Sequence, residues 1–295
     1  MRMILKPVFL LIVLYAQSTF AQITVVDDLN NEIILDKPVK SIITLSPHLT
    51  ELTFNAGAEP LLKATVEHSD YPEQAKTIPS LGAYNHWDIE QVLLLKPDIV
   101  LAWQTANGDE PINKLRQLGI KVYVSEPRKI KDIALTIKNI GLMAGTTDVA
   151  DKTANTFIQS MQQLGDQYAE QKPVKVFYQV WSNPLVTVNG EQLISALIRM
   201  CGGKNVFADI DNLAPTIGQE DLIDANPQVI IGGARDGEHG NWLAEWRQWS
   251  SIDAVQHEQL YFIHPDLLNR QTTRMLQGAQ QLCTYIDNAR QLSND

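Results

Sequence analysis

Positive charge is in short supply in this chain. Lys and Arg number 24 against 34 Asp and Glu, a formal net charge of −10, and so acidic a protein does not hold nucleic acid or an anionic lipid surface by charge. Long apolar runs are scarcer still. The one near the N-terminus, over 7–15, is shorter than the roughly 20 residues a membrane-spanning helix needs. Cysteine occurs only as Cys201 and Cys283, so there is no Cys-x-x-Cys redox or zinc motif. A Walker-type glycine loop, a Gly-x-Ser-x-Gly elbow and a His-Glu-x-x-His helix are also missing. The histidines, His48, His68, His86, His239, His257 and His264, are scattered without metal-ligand spacing. No enzymatic activity, resident cofactor or metal is therefore expected. An exported enzyme with a site assembled from distant segments is the rival of a different class.

What is present begins with a targeting signal. Arg2 and Lys6 precede the apolar run, and Thr19 and Ala21 put small residues where a signal peptidase reads them. Residues 1–21 are expected to be cleaved, leaving a mature chain without a membrane span. Two cysteines in an exported protein read as a disulfide, with two unrelated buried thiols as the alternative.

One pattern occurs twice at the same internal spacing. Glu90 to Leu95, then Lys96-Pro97-Asp98 and the apolar 99–103, is echoed by Glu220 to Ala225, then Asn226-Pro227-Gln228 and the apolar 229–231. In each copy an acidic residue opens a short helix, proline stops it because it lacks the N–H a helix needs, and a buried strand follows. Any parallel α/β protein repeats helix–strand units, so the echo alone favours paired lobes only slightly. Further strands over 41–45, 61–66, 121–124, 174–180 and 260–263 alternate with helices, which implies parallel sheets. Between the halves, Ala150, Ala154, Phe157, Met161, Leu164 and Tyr168 form a one-sided helical stripe with no strand beside it. A helix over 148–170, capped by Thr147 with Asp148 and stopped by Lys172-Pro173, would brace two lobes. The expected fold is α/β, two parallel-sheet lobes (22–146 and 173–295) joined by a single long helix within 147–172, with the ligand cleft between them.

Ligands of such sheets bind beyond the carboxyl ends of the strands. His68 and Tyr71 follow one strand there, Tyr84 and Trp87 precede the Glu90 helix, and Trp103 and Trp181 end two others. Asp266, Asn269, Arg270 and Arg274 follow the last strand. Large flat side chains beside a few polar groups suit a bulky, partly apolar ligand.

With these residues in view, the chain resembles the periplasmic substrate-binding proteins of the vitamin B12 and ferric-siderophore importers. The resemblance covers nearly the whole mature chain. It is carried by Ser46-Pro47-His48-Leu49-Thr50-Glu51-Leu52, Ser69-Asp70-Tyr71-Pro72, the run from Leu94 to Trp103, Cys201-Gly202-Gly203-Lys204-Asn205-Val206-Phe207 and Gly278-Ala279-Gln280-Gln281-Leu282-Cys283. The lysine–proline–aspartate run marks the whole superfamily, and the cysteine pair in these contexts marks the B12 branch. The resemblance implies a monomeric periplasmic receptor that carries cobalamin or a related corrinoid to an inner-membrane ABC permease and ATPase complex. Haem or a ferric siderophore is the alternative cargo, an anionic chelate being held by Arg270, Arg274 or Arg235. It implies ligand contacts at His68, Tyr84, Trp103 and the segment Asp266, Leu267, Leu268, Asn269 and Arg270, to which the strand-end Trp181 is added. It implies permease docking through Glu90 and Glu220. The chain departs from the B12 branch at His68, which replaces a tyrosine, at Ala214, which replaces a tryptophan, and at Leu267-Leu268, which replace an aromatic pair.

Overall fold

Period-two alternation of apolar side chains decides how the layers form. In this computed structural model, which describes residues 22–233 and 239–292, the first half opens with a hairpin of β1 (Ile23–Val26) and β2 (Glu32–Leu35). β3 (Ile42–Thr44), α1 (Pro47–Asn55), β4 (Leu62–Ala64) and a second small hairpin, β5 (Gly82–Ala83) with β6 (His86–Trp87), follow. Then come α2 (Ile89–Leu95), β7 (Ile99–Trp103), α3 (Gln104–Asn107), α4 (Asp109–Gln117), β8 (Val122–Ser125) and α5 (Ile130–Ala144). The sheet runs β4-β3-β7-β8, all parallel.

After the brace α6 (Thr147–Asp166), the second half contains β9 (Val174–Gln179), α7 (Leu193–Met200), β10 (Gly203–Asn205), α8 (Gln219–Ala225) and β11 (Val229–Gly232). It ends with α9 (His239–Arg247), α10 (Asp253–Gln256), β12 (Leu260–Phe262), α11 (Pro265–Leu268) and α12 (Met275–Leu292). Its sheet runs β10-β9-β11-β12, again all parallel. Within each lobe the strands are thus arranged in the same permutation, second, first, third, fourth. The expected α/β pair of lobes is what the chain forms, and no described helix is long and apolar enough to cross a membrane. The signal segment 1–21, Arg235 and the loop over 234–238 lie outside the described residues.

The alternation sorts each strand between two cores. Ile99 and Leu101 of β7, Val174, Val176 and Tyr178 of β9, and Val229 and Ile231 of β11 face one core that also takes in α6 and α12. Val100 and Ala102 face a separate core of the first lobe, and Phe177 and Ile230 one of the second. The shared core makes the two lobes one hydrophobic unit, at roughly 25 cal/mol for each Å² of apolar surface removed from water.

The brace stripe lies where the sequence put it, with Ala150, Ala154, Phe157, Met161 and Leu164 buried. Its ends differ from expectation. The side chain of Thr146, at the cap position, makes no capping hydrogen bond, and the helix stops at Asp166, before Lys172-Pro173. Twenty residues span roughly 30 Å at the helical rise. Small residues let the brace approach its neighbour closely: a Cβ added to Gly141 of α5 would lie 2.2 Å from the Ala150 Cβ.

The echo is a true structural repeat. Each copy is a seven-residue helix ended by a left-handed residue, Lys96 (φ 46°) or Asn226 (φ 43°), ahead of its proline. The Asp98 carboxylate accepts from the backbone N–H groups of Lys40 and Ser41, and the Gln228 Oε1 accepts from that of Lys175, fixing each new strand beside its neighbour. The capping role, however, belongs to other carboxylates. Asp88 accepts from the N–H groups of Glu90 and Gln91, and Asp221 from that of Gly218, whereas Glu90 and Glu220 sit second in their helices with exposed carboxylates that take no partner among the described residues.

Cys201 and Cys283 are joined, Cα–Cα 4.7 Å, across 82 residues. The bond ties the end of α7 to α12. Arg290 of α12 reinforces it by donating to the carbonyls of Cys201 and Lys172 and pairing with Asp287. Closing so long a loop contributes about 4–5 kcal/mol in the loop-entropy treatment. Mature protein denatured without reductant should show no titratable thiol, and reduction should lower its melting temperature. Two free thiols would refute the pairing in solution.

Candidate functional site

The candidate site is assembled on the N-terminal end of α1. Ser46 begins the helix with its Oγ accepting from the Leu49 N–H at 3.5 Å and bonded to Nδ1 of His48 at 2.8 Å, and Pro47 occupies the first turn, where no N–H is needed. Thr50 donates to Ser69 Oγ at 3.1 Å, which fastens the loop from His68 to Tyr71 onto the helix. Glu51, only 1% exposed, grips Arg274 from the other lobe with two bonds of 2.9 and 2.7 Å.

The loop beyond β4 and the segment beyond β12 therefore meet. Arg270 pairs with Asp70 at 2.7 Å and with Asp266 at 3.0 Å. Thr273 donates to Asn55 at 3.0 Å, and the Arg274 guanidinium lies 4.0 Å from the centre of the Tyr71 ring. These contacts turn the strand carboxyl ends of the two lobes towards each other, the geometry in which α/β sheets take ligands. Desolvation pushes the Asp70 carboxyl up, but the hydrogen bond and charge of Arg270 outweigh it and hold its pKa below the ordinary value.

His68 is exposed in left-handed backbone (φ 64°), a conformation histidine tolerates better than branched residues do. Tyr84 is exposed at the β5–β6 turn, and Trp103 is half-buried at the end of β7. Asn107 holds these last two in place. Its Oδ1 accepts from the Trp103 N–H at 2.6 Å, and its Nδ2 donates to the carbonyls of Tyr84 (2.6 Å) and Leu45 (3.0 Å). In the second lobe Trp181, 62% exposed, follows β9. Behind it Gln179 is buried, accepting from the indoles of Trp242 and Trp246 and donating to Ser182. Asn269 is exposed and accepts from the Tyr178 hydroxyl at 3.1 Å.

Two expectations change here. Leu268 is 1% exposed and belongs to the shared core, because the single turn of α11 rotates it inward against α12, so it is no part of a ligand wall. Leu267 is half-buried, and Trp87 packs on the first lobe's own core. The residues that sequence reasoning missed as site builders are Glu51, Asp70, Asn107 and His48. The polar run Ser46 to Glu51 signalled His48 and Glu51, and nothing local signalled the roles of Asp70 and Asn107.

Cavities open on both lobes. One of about 400 Å³ sits in the second lobe beside Gln179, Leu222 and Trp246, and one of about 780 Å³ sits beside Trp87 and Lys114 on the first. The lobe-crossing contacts, and not cavity size, locate the site. Among the described residues no group of three or more His, Cys, Asp or Glu is arranged to hold a metal.

Residues 42–267 match the family described as periplasmic binding protein. The chain belongs to that family. It is 36% identical over 84% of its length, and 90% of the relative's, to the vitamin B12-binding protein of Vibrio cholerae. It is 34% identical over 83% of its length to that of Yersinia pestis, covering 85% of the relative. Among solved structures, the crystal structure of the periplasmic vitamin B12-binding protein BtuF of Vibrio cholerae superposes with a TM-score of 0.79 over 86% of this chain and 98% of that one, at 34% identity. The periplasmic haem-binding protein RhuT from Roseiflexus superposes at 0.76 over 85% of this chain and 99% of that one with 18% identity, which speaks for the fold alone.

His48 gives the site a pH signature. Its ring is 2% exposed, packs edge-on against Trp103 at 5.2 Å and leaves Nε2 without a partner. Burial, with the nearby Arg270 charge adding to it, depresses its pKa from 6.5 to about 3. The folded state therefore binds fewer protons than the unfolded state between those values, and stability falls as pH drops through that window. The loss should be on the order of 3 kcal/mol by pH 4. Urea unfolding at pH 7 and pH 4 should show that loss in the wild type and a flatter profile in His48→Phe. Equal slopes in the two would show that His48 carries none of it.

Proposed function

We propose that this chain is a periplasmic receptor, exported by the cleaved segment 1–21, that captures a cobalamin-type corrinoid and delivers it as a monomer to an inner-membrane ABC permease and ATPase complex, with no chemistry of its own. The observation that carries the reading is the facing pair of strand-end rims bearing exposed Tyr84 and Trp181, in a chain 36% identical to a vitamin B12-binding protein. A broad flat macrocycle fits between aromatic faces, with polar side chains at its edge. His68, Tyr84 and Trp103 form the wall on the lobe of 22–146. Trp181, Asp266, Leu267, Asn269 and Arg270 form the wall on the lobe of 173–295, and the linker over 147–172 limits the lobes to small relative motion. Tryptophan fluorescence of the purified protein should change saturably with cyanocobalamin and not with haemin or ferric siderophores. A response to haemin or a siderophore alone would replace the corrinoid with that cargo.

Glu90 and Glu220 crown the two echoed helices as exposed rim carboxylates, one on each lobe and without a partner among the described residues, and are assigned to docking on basic groups of the permease. Exposed charges of this kind set encounter rate and register more than depth of binding. Glu90→Arg/Glu220→Arg should retain corrinoid binding and lose most uptake in a transport assay, with the single variants more salt-sensitive than the wild type. Unchanged uptake in the double variant would remove the docking role.

A further inference from the structure

The arginines at the facing strand ends are already neutralised. Among the described residues, each arginine in the segments just beyond β8 and β12 has a carboxylate of its own. Arg128 pairs with Glu126 at 2.8 Å, Arg270 with Asp70 and Asp266, and Arg274 with the buried Glu51. Of the two arginines at the lobe junction, Arg270 (16% exposed) and Arg274 (13%), Arg270 is the more open, for Arg274 is enclosed by Glu51 below and Tyr71 above. Its guanidinium meets two carboxylates from opposite lobes, so the cluster carries one positive against two negative charges. The pKa of Asp70 lies below its ordinary value, so that carboxylate stays ionised at neutral pH.

A ligand carboxylate approaching Arg270 must displace Asp70 or lie beside two anions. A ligand amide has no such penalty: its N–H donates to the carboxylates and its C=O accepts from the guanidinium edge. We infer that Asp70, which need not touch the ligand's ring, is a specificity-determining residue that tunes the cleft for macrocycles with amide side chains and against those with free carboxylates. The inference deepens the corrinoid reading and rests on it. Rejection through an unpaired charge is a common route to selectivity.

Two probes isolate the property, dicyanocobinamide, whose corrin carries amides, and dicyanocobyrinic acid, whose corrin carries carboxylates. Both are titrated against wild type, Asp70→Asn and the charge-conserving Asp70→Glu, with cyanocobalamin as the reference ligand. The wild type should prefer the amide form by about tenfold or more at low salt. Asp70→Asn should cut that ratio by about tenfold, with a smaller change at high salt, and Asp70→Glu should keep it. If Asp70→Asn does not melt cooperatively, Asp266→Asn, which removes the other carboxylate, should lower the ratio in the same way. Equal affinity of the wild type for both probes, or a ratio unmoved within about twofold in a folded variant, overturns the charge selection while cyanocobalamin binding still stands. Failure of the wild type to bind any of the three overturns the corrinoid reading itself and this inference with it.

Discussion

A buried carboxylate in one lobe and a guanidinium from the other set the relation between the halves of this protein. Glu51 is only 1% exposed and Arg274 13%, so neither charge is comfortably hydrated. A desolvated pair of this kind is stable only when its geometry is good, and losing one partner typically costs about 3–5 kcal/mol. The two parallel bonds between them meet that demand. Because Glu51 lies on α1, the same helix that places His48 under Trp103 and Thr50 against the loop of His68, the lobe-to-lobe contact and the shape of the first wall are not independent. A shift of α1 would move all of them together.

The lobes share a strand order but use a buried side-chain amide differently. In the first, Asn107 satisfies three backbone groups at once and thereby holds an exposed tyrosine and a half-buried tryptophan at one rim. In the second, Gln179 at the end of β9 instead fastens the core, its side-chain oxygen shared by the N–H groups of the buried Trp242 and Trp246. Each amide is nearly fully bonded and buried, which is the condition under which a polar group stiffens a core instead of weakening it.

The elements governed by local rules were legible in the sequence. The apolar runs after Pro97 and Pro227, the four-three stripe of the brace and the glycine-ended helices all rest on neighbours a few residues away. The pairing of Cys201 with Cys283 was legible from compartment and number. What was not legible depends on partners far along the chain: Glu51 and Arg274 are 223 residues apart, Asp70 and Arg270 are 200. No periodicity announces such pairs. The placement of Leu268 failed for a related reason. A four-residue helix has too little pattern to show which side faces the core, and only its seating on α12 decides. That Asp88 and not Glu90 caps its helix was not legible either, because only the folded turn shows which carboxylate can accept the N–H groups of Glu90 and Gln91.

The distribution of cross-links along the chain bears on how the protein assembles. Arg270, Thr273 and Arg274, which reach across to the first lobe, and Cys283 and Arg290, which close the second, all fall within one stretch of about twenty residues. That stretch follows every sheet strand in the sequence. The first lobe can settle without it, since its strands and α5 are contiguous in sequence. The second lobe and the junction depend on the same segment, so the orientation of one lobe against the other and the closure of the disulfide rest on one short length of chain.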